Sequence, residues 1–195
     1  MKPRVQRCRS RRGLMLIELL LALAVTGMVA AAMSSMLWAV SYGTSSSKGL
    51  RALAVKTKTL QSRLGGAIRG AAMVLDAGED FLVLWVDDAD GDGQPSLHEI
   101  QRIDRDVQTQ TLIAYAASET AQDVVYPLTT DFDQVTRALM GDATFPGQPW
   151  ATQVSGWSIT LNQSDPQQAS LVSYRLTLAA DEVSETAIGA VALRR

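Results

Sequence analysis

The sequence predicts an α+β protein: one long N-terminal α-helix, half membrane-spanning and half amphipathic, packed on an antiparallel β-sheet body. Three observations predict it. The apolar run from Leu14 to Tyr42 carries a single charge, Glu18. After it, Leu50, Leu53, Leu60, Leu64, Ala67, Ile68 and Ala71 recur at three- and four-residue spacing, the stripe of an amphipathic helix. Beyond them, short apolar and alternating runs are separated by Asp-, Gly- and Pro-rich turns, the pattern of antiparallel strands.

The first run sets the cellular context. At 1.5 Å rise per residue it makes a helix about 40 Å long, more than the ~30 Å hydrocarbon core of a bilayer. An ordinary secretory signal has a shorter apolar core followed by a small-residue cleavage site. Six basic residues precede the run: Lys2, Arg4, Arg7, Arg9, Arg11 and Arg12. Such a basic flank stays in the cytoplasm, so the body is expected to be exported. Cys8 is the only cysteine. It precedes the apolar run, whereas a lipoprotein signal places its cysteine after one.

The formal charge of −2 conceals an asymmetry. Without the six basic residues before Gly13 it becomes −8. An acidic body argues against a general nucleic-acid binder, which needs Lys and Arg to neutralise phosphates.

Glu18 is the anomaly of the first helix. A carboxylate in an apolar span costs several kcal/mol unless it is paired or lies at the interface. Its setting, Arg11-Arg12-Gly13-Leu14-Met15-Leu16-Ile17-Glu18, resembles the prepilin cleavage and methylation motif: basic leader, glycine, apolar residues, glutamate, apolar helix. Leu14 stands where the family usually has phenylalanine. The resemblance covers residues 1 to about 42. It implies a leader cut by prepilin peptidase after Gly13, N-methylation of Leu14, and an assembly role for Glu18 as the fifth mature residue. There the carboxylate would attract the terminal amine of a neighbouring subunit, each charge removing the other's burial cost.

Residues 43 to 49 are Gly, Thr, Ser, Ser, Ser, Lys and Gly, a membrane exit and a soft point. No proline occurs from residue 4 to residue 94, so the helix is expected to continue. Gly65-Gly66 weakens it by roughly 1 kcal/mol per glycine relative to alanine. The expected organisation is a leader over 1–13, a transmembrane half over 14–42, an amphipathic exported half over 43–75 and a β-rich body over 76–195. A signal anchor followed by a separate amphipathic helix is the alternative.

Phe81 to Val86 reads as a buried strand running into an acidic loop at 88–99. Counting from Asp88, carboxylates stand at positions 1, 3, 5 and 12 (Asp88, Asp90, Asp92, Glu99), with Gly93 at position 6. This is the spacing of an EF-hand calcium loop. Alternate side chains of a tight turn converge on one point, Gly93 permits the bend, Gln94 offers its backbone carbonyl and Ser96 ligates directly or through water. Glu99 closes the shell with two oxygens. The expected cofactor is a single Ca²⁺, because hard oxygen ligands suit it. A strand precedes the loop and Pro95 occupies position 8, so a lone loop at a β-hairpin turn is expected, followed by a strand from His98 to Ile103. A metal-free Asp/Gly turn is the alternative. His98, the only histidine, is at a non-ligating position and reads as a bystander.

The remaining body offers a strand at Thr111–Tyr115, a short helix at 131–140 capped by Asp131 and ended by Gly141, and a loop over 142–153 holding two prolines and Trp150. Strands follow around Trp157–Leu161, Val172–Leu178 and Ala187–Leu193, with a turn at Asn162–Ser170. No phosphate loop, zinc signature or nucleophile elbow is present. The expectation is a non-catalytic structural subunit, a minor pseudopilin of a type II secretion system or a minor type IV pilin. Its expected partners are other pilin or pseudopilin subunits, the secretion or pilus assembly platform, and the membrane. A pilus-tip adhesin or calcium-dependent binding module on the same anchor, and a tethered exported enzyme, are the alternatives.

Overall fold

The computed structural model describes residues 14–180 and 183–194. Gly13, Cys8 and the six basic residues before Gly13 lie outside them. The chain divides into two compact units, Met1–Lys48 and Gly49–Arg195.

The first unit is the apolar part of helix α1 (Leu14–Gly70). Within it, Leu16–Ala39 is 24 residues long and apolar enough to cross a membrane. At 1.5 Å per residue this is about 36 Å. Every side chain from Leu16 to Ala39 is exposed, so this stretch has no apolar partner among the described residues. That is the condition of a helix whose solvent is lipid.

The second unit begins with the remainder of α1, continues, among the described residues, through eight strands, a short α-helix and two 3-10 turns, and is α+β, as expected. Strands β1 (Met73–Ala77), β2 (Phe81–Trp85), β3 (Ile100–Asp106), β4 (Thr111–Ala116) and β5 (Gly147–Ala151) form a five-stranded antiparallel sheet in that order. Strands β6 (Val154–Leu161), β7 (Leu171–Ala180) and β8 (Val183–Ala192) form a second antiparallel sheet. Short helix α2 (Phe132–Leu139) lies between β4 and β5 in the chain.

The expected stripe of α1 is the keel of the core. Leu53, Leu60, Leu64 and Ile68 are buried together with Leu82, Leu84, Ile103 and Leu112 of the first sheet and Val172, Leu176 and Leu178 of the second. Leu50 is 48 % exposed and falls outside the stripe, while Thr57 is buried within it. The helix stops at Gly70, short of residue 75, because Met73–Ala77 is taken up by pairing with β2.

Strand β2 shows no polar alternation because both of its faces are covered. Leu82 and Leu84 face the α1 core, whereas Val83 and Trp85 pack with Leu75, Ile100 and Phe132 of α2. Helix α2 starts where expected: the Asp131 side chain accepts from the Gln134 N–H at 2.9 Å, and Gly141 follows with φ 91. It is held to the first sheet by Arg102, which is 1 % exposed. This guanidinium bonds Asp104, Asp133 at 2.8 Å and the Thr136 hydroxyl at 2.9 Å, and sits 4.4 Å over the Phe81 ring.

Two local expectations are corrected. The segment 142–153 is not all loop, because Gly147–Ala151 pairs with β4. Pro149 lacks an N–H, yet β5 is an edge strand with one side unpaired, where proline is tolerated. The strand expected from His98 starts at Ile100 instead. Leu97–Glu99 forms a single 3-10 turn that turns Glu99 back toward the loop.

Candidate functional site

The acidic loop closes the β2–β3 hairpin, as the strand before it required. Trp85 is opposite Ile100 in the ladder, and Val86 N–H donates to the Glu99 carbonyl at 2.7 Å. Residues 87–98 are thus a long excursion from a two-residue closure.

The turns within it are made by the aspartates themselves. Asp90 Oδ1 accepts from Asp92 N–H at 3.1 Å, and Asp92 Oδ1 accepts from Gln94 N–H at 2.7 Å. Both glycines adopt the left-handed conformation, Gly91 at φ 73 and Gly93 at φ 72, which L-residues with a Cβ adopt only with strain. Gly93 is therefore the bend expected of it. The second half of the loop is tied down. Leu97 N–H donates to Val124 O and Tyr126 N–H to Pro95 O, both at 2.9 Å.

Glu99 is the hub. It is 7 % exposed. Its Oε1 accepts from Ala89 N–H at 2.6 Å, and its Oε2 accepts from Ser96 N–H at 3.0 Å and from Trp85 Nε1 at 3.1 Å. Each carboxylate oxygen has two lone-pair directions. Oε2 uses both, and Oε1 keeps one. Glu99 can therefore offer one oxygen to a cation without breaking a hydrogen bond, and the two-oxygen closure expected at position 12 would break one of the two on Oε2.

Of the four expected carboxylates, the structure gathers three. One carboxylate oxygen from each of Asp88, Asp90 and Glu99 lies within 4.8 Å of the others. Such an all-oxygen cluster can hold a divalent cation. Asp92, turned toward the Gln94 N–H, is not in this cluster. Gln94 is exposed, and Ser96 is buried.

Asp123 has no place in the loop spacing, and only the tertiary structure brings it to the site. His98 Nδ1 lies 3.0 Å from Asp123 Oδ1, and its Nε2 lies 3.2 Å from the Ser118 carbonyl. Both ring nitrogens thus face acceptors, which favours the doubly protonated ring. The Asp123 hydrogen bond is the main reason the His98 pKa is raised, and the same bond lowers that of Asp123. His98 pins the loop's exit to a neighbouring segment.

Glu18 lies in the first turns of α1. Its side chain is exposed and makes no ion pair or hydrogen bond among the described residues. Leu14 is the first described residue of the helix, and Gly13 lies outside the described residues.

No family model, curated protein or solved structure matches the chain.

Proposed function

We propose that this protein is a pilin-like structural subunit, a minor pseudopilin of a type II secretion system or a minor type IV pilin. A long N-terminal apolar helix followed by an antiparallel body is a pilin-like architecture in general. The observation that carries the finer reading is the segment Gly13-Leu14-Met15-Leu16-Ile17-Glu18 at the head of α1. In this reading prepilin peptidase cuts after Gly13 and Leu14 is N-methylated. The N-terminus faces the cytoplasm, the body is exported, and the helix passes from the inner membrane into a filament built by the assembly platform. Glu18, the one charge of the span, takes the terminal amine of a neighbouring subunit as its partner. Pairing offsets a desolvation cost of several kcal/mol for each charge and sets the stagger between adjacent helices. The role is structural rather than catalytic.

The acidic loop in this reading binds one Ca²⁺ through Asp88, Asp90 and the free lone pair of Glu99 Oε1. Asp92, the Gln94 carbonyl and Ser96 complete the shell by rotation or through water. The ion would neutralise carboxylates that the hairpin crowds together, and so stiffen an exposed loop.

The test is mass spectrometry of the protein isolated from membranes of cells containing a prepilin peptidase. An N-methylated Leu14 terminus is expected. A chain still beginning at Met1 or Lys2 would sink the reading.

A further inference from the structure

Charge in the second unit is segregated by element. From Gly49 to Gly70, α1 carries Arg51, Lys56, Lys58, Arg63 and Arg69 and no acidic residue. From Ala71 to Arg195 there are nineteen acidic residues against six basic ones. All five helix cations are exposed, and none makes an ion pair among the described residues. Lys56 donates to Gln153 Oε1 at 3.0 Å; among the described residues no hydrogen bond occupies the other four charged groups. Surface helices ordinarily answer cations with acids three or four residues away, a device worth a few tenths of a kcal/mol per pair. Here, among the described residues, an acid-rich protein supplies none, neither along the helix nor from the adjoining sheet.

The cations also have a shape around them. Lys58 and Arg69 are eleven residues apart, close to three helical turns, so they share one flank about 16 Å apart. Arg51, seven residues before Lys58, lies on the same flank. Between α1 and the second sheet runs an open groove of about 330 Å³ lined by Lys58, Ser62, Gly65 and Arg69 of α1, Tyr174 of β7 and Val191 of β8. No carboxylate lines it. Its small residues leave room, and its ends are positive.

The complement is on the other sheet. The β2–β3 loop exposes Asp87, Asp90 and Asp92, and the cationic flank lies beside β7 and β8. We propose that the Lys58–Arg69 flank of α1 docks the acidic β2–β3 loop of a second copy of this chain. Unlike patches on different parts of one molecule make a heterologous contact, which propagates as an open filament when its rotation does not close. Such a contact suits copies anchored in one membrane when its rotation axis runs along the membrane normal, the orientation a filament rising from the membrane has. The proposal rests on the filament reading for that orientation alone. A divalent cation on the loop removes negative charge from the docking face and weakens the contact.

The experiment uses the full chain with Cys8→Ser, reconstituted in vesicles of neutral phosphatidylcholine. Ser62→Cys and Ala89→Cys are placed in separate preparations and mixed under mild oxidation. A mixed disulfide dimer in excess of either self-dimer is expected. Lys58→Glu with Arg69→Glu should cut its yield about tenfold, as should the milder Lys58→Gln with Arg69→Gln to a lesser degree. Asp90→Lys with Asp92→Lys on the Ala89→Cys partner should restore it. About 0.5 M NaCl should lower it, since screening then acts within a few Å. Absence of the mixed dimer, or a yield indifferent to charge reversal and not rescued by the swap, overturns the docking. So does a charge effect that appears only in anionic vesicles, which would make lipid headgroups the partner. The N-terminal mass of the same sample separates the two readings. A processed terminus with charge-independent cross-linking sinks the contact alone. An intact leader with charge-dependent cross-linking sinks the filament reading alone.

Discussion

Trp85 Nε1 donates to Glu99 Oε2 at 3.1 Å, joining the last residue of β2 to the last residue of the acidic loop. With the Ala89 and Ser96 N–H groups, the indole makes Glu99 the acceptor for three donors. Glu99→Ala leaves all three without that partner, the Trp85 and Ser96 donors in a buried site. It should cost about 3 kcal/mol, read by urea unfolding of the full chain in detergent micelles. Glu99→Gln keeps one acceptor oxygen and should lose less. Equal losses for the two variants would show that the carboxylate is not the hub.

Calcium binding is testable on the same protein. One site with an affinity of about 10⁻⁴ to 10⁻³ M is expected by calorimetry. Calcium at about a hundred times the dissociation constant should add ~2.7 kcal/mol to stability. Asp90→Ala should abolish both effects. No heat and no stabilisation at millimolar calcium would leave the loop as an Asp/Gly turn.

His98 gives a pH signature. Its folded pKa is raised by Asp123, so the stability this contributes is complete below about pH 6.5, the unfolded value, and is lost as pH rises through the folded value. Asp123 is lowered by the same bond, so its contribution is complete above about pH 4 and is lost as pH falls through its folded value. The pair therefore holds best between about pH 4 and 6.5. Nuclear magnetic resonance titration should place the His98 midpoint above 6.5, and Asp123→Asn should bring it down. A midpoint that Asp123→Asn does not move would exclude the ion pair.

Arg102→Ala strands Asp104, leaves Asp133 with only its exposed pair to Arg137, and removes a buried cation from the Phe81 face. A loss of about 3 to 5 kcal/mol is expected. Arg102→Lys should recover only part of it, because an ammonium cannot reproduce the planar fork that serves Asp104, Asp133 and Thr136 together. Full recovery with lysine would reduce the site to a point charge.

Gly189 of β8 lies under the Tyr174 ring, where an added Cβ would approach the ring end to 2.4 Å. Tyr174 is itself buried and cannot swing away freely. Gly189→Ala should destabilise the fold by about 1 to 3 kcal/mol through overpacking, seen as a lower melting temperature. An unchanged melting point would mean the ring moves without cost.

The sequence by itself determined what depends on local order. Leu14 to Tyr42 is long and apolar whatever surrounds it, and the stripe Leu53, Leu60, Leu64 and Ile68 follows from helical geometry alone. The Asp88–Glu99 spacing and the strand at Phe81 likewise placed a hairpin with an acidic turn. The tertiary structure decided what depends on residues far apart in the chain. Pro149 sits in a strand because β5 is an edge, which no local pattern reveals. Asp123 joins the loop through His98 from 25 residues away. Glu99 occupies the position of a two-oxygen ligand, yet its hydrogen bonds to Trp85, Ala89 and Ser96 leave one lone pair for a cation. Spacing sets which carboxylates can converge; packing sets which lone pairs remain free when they do.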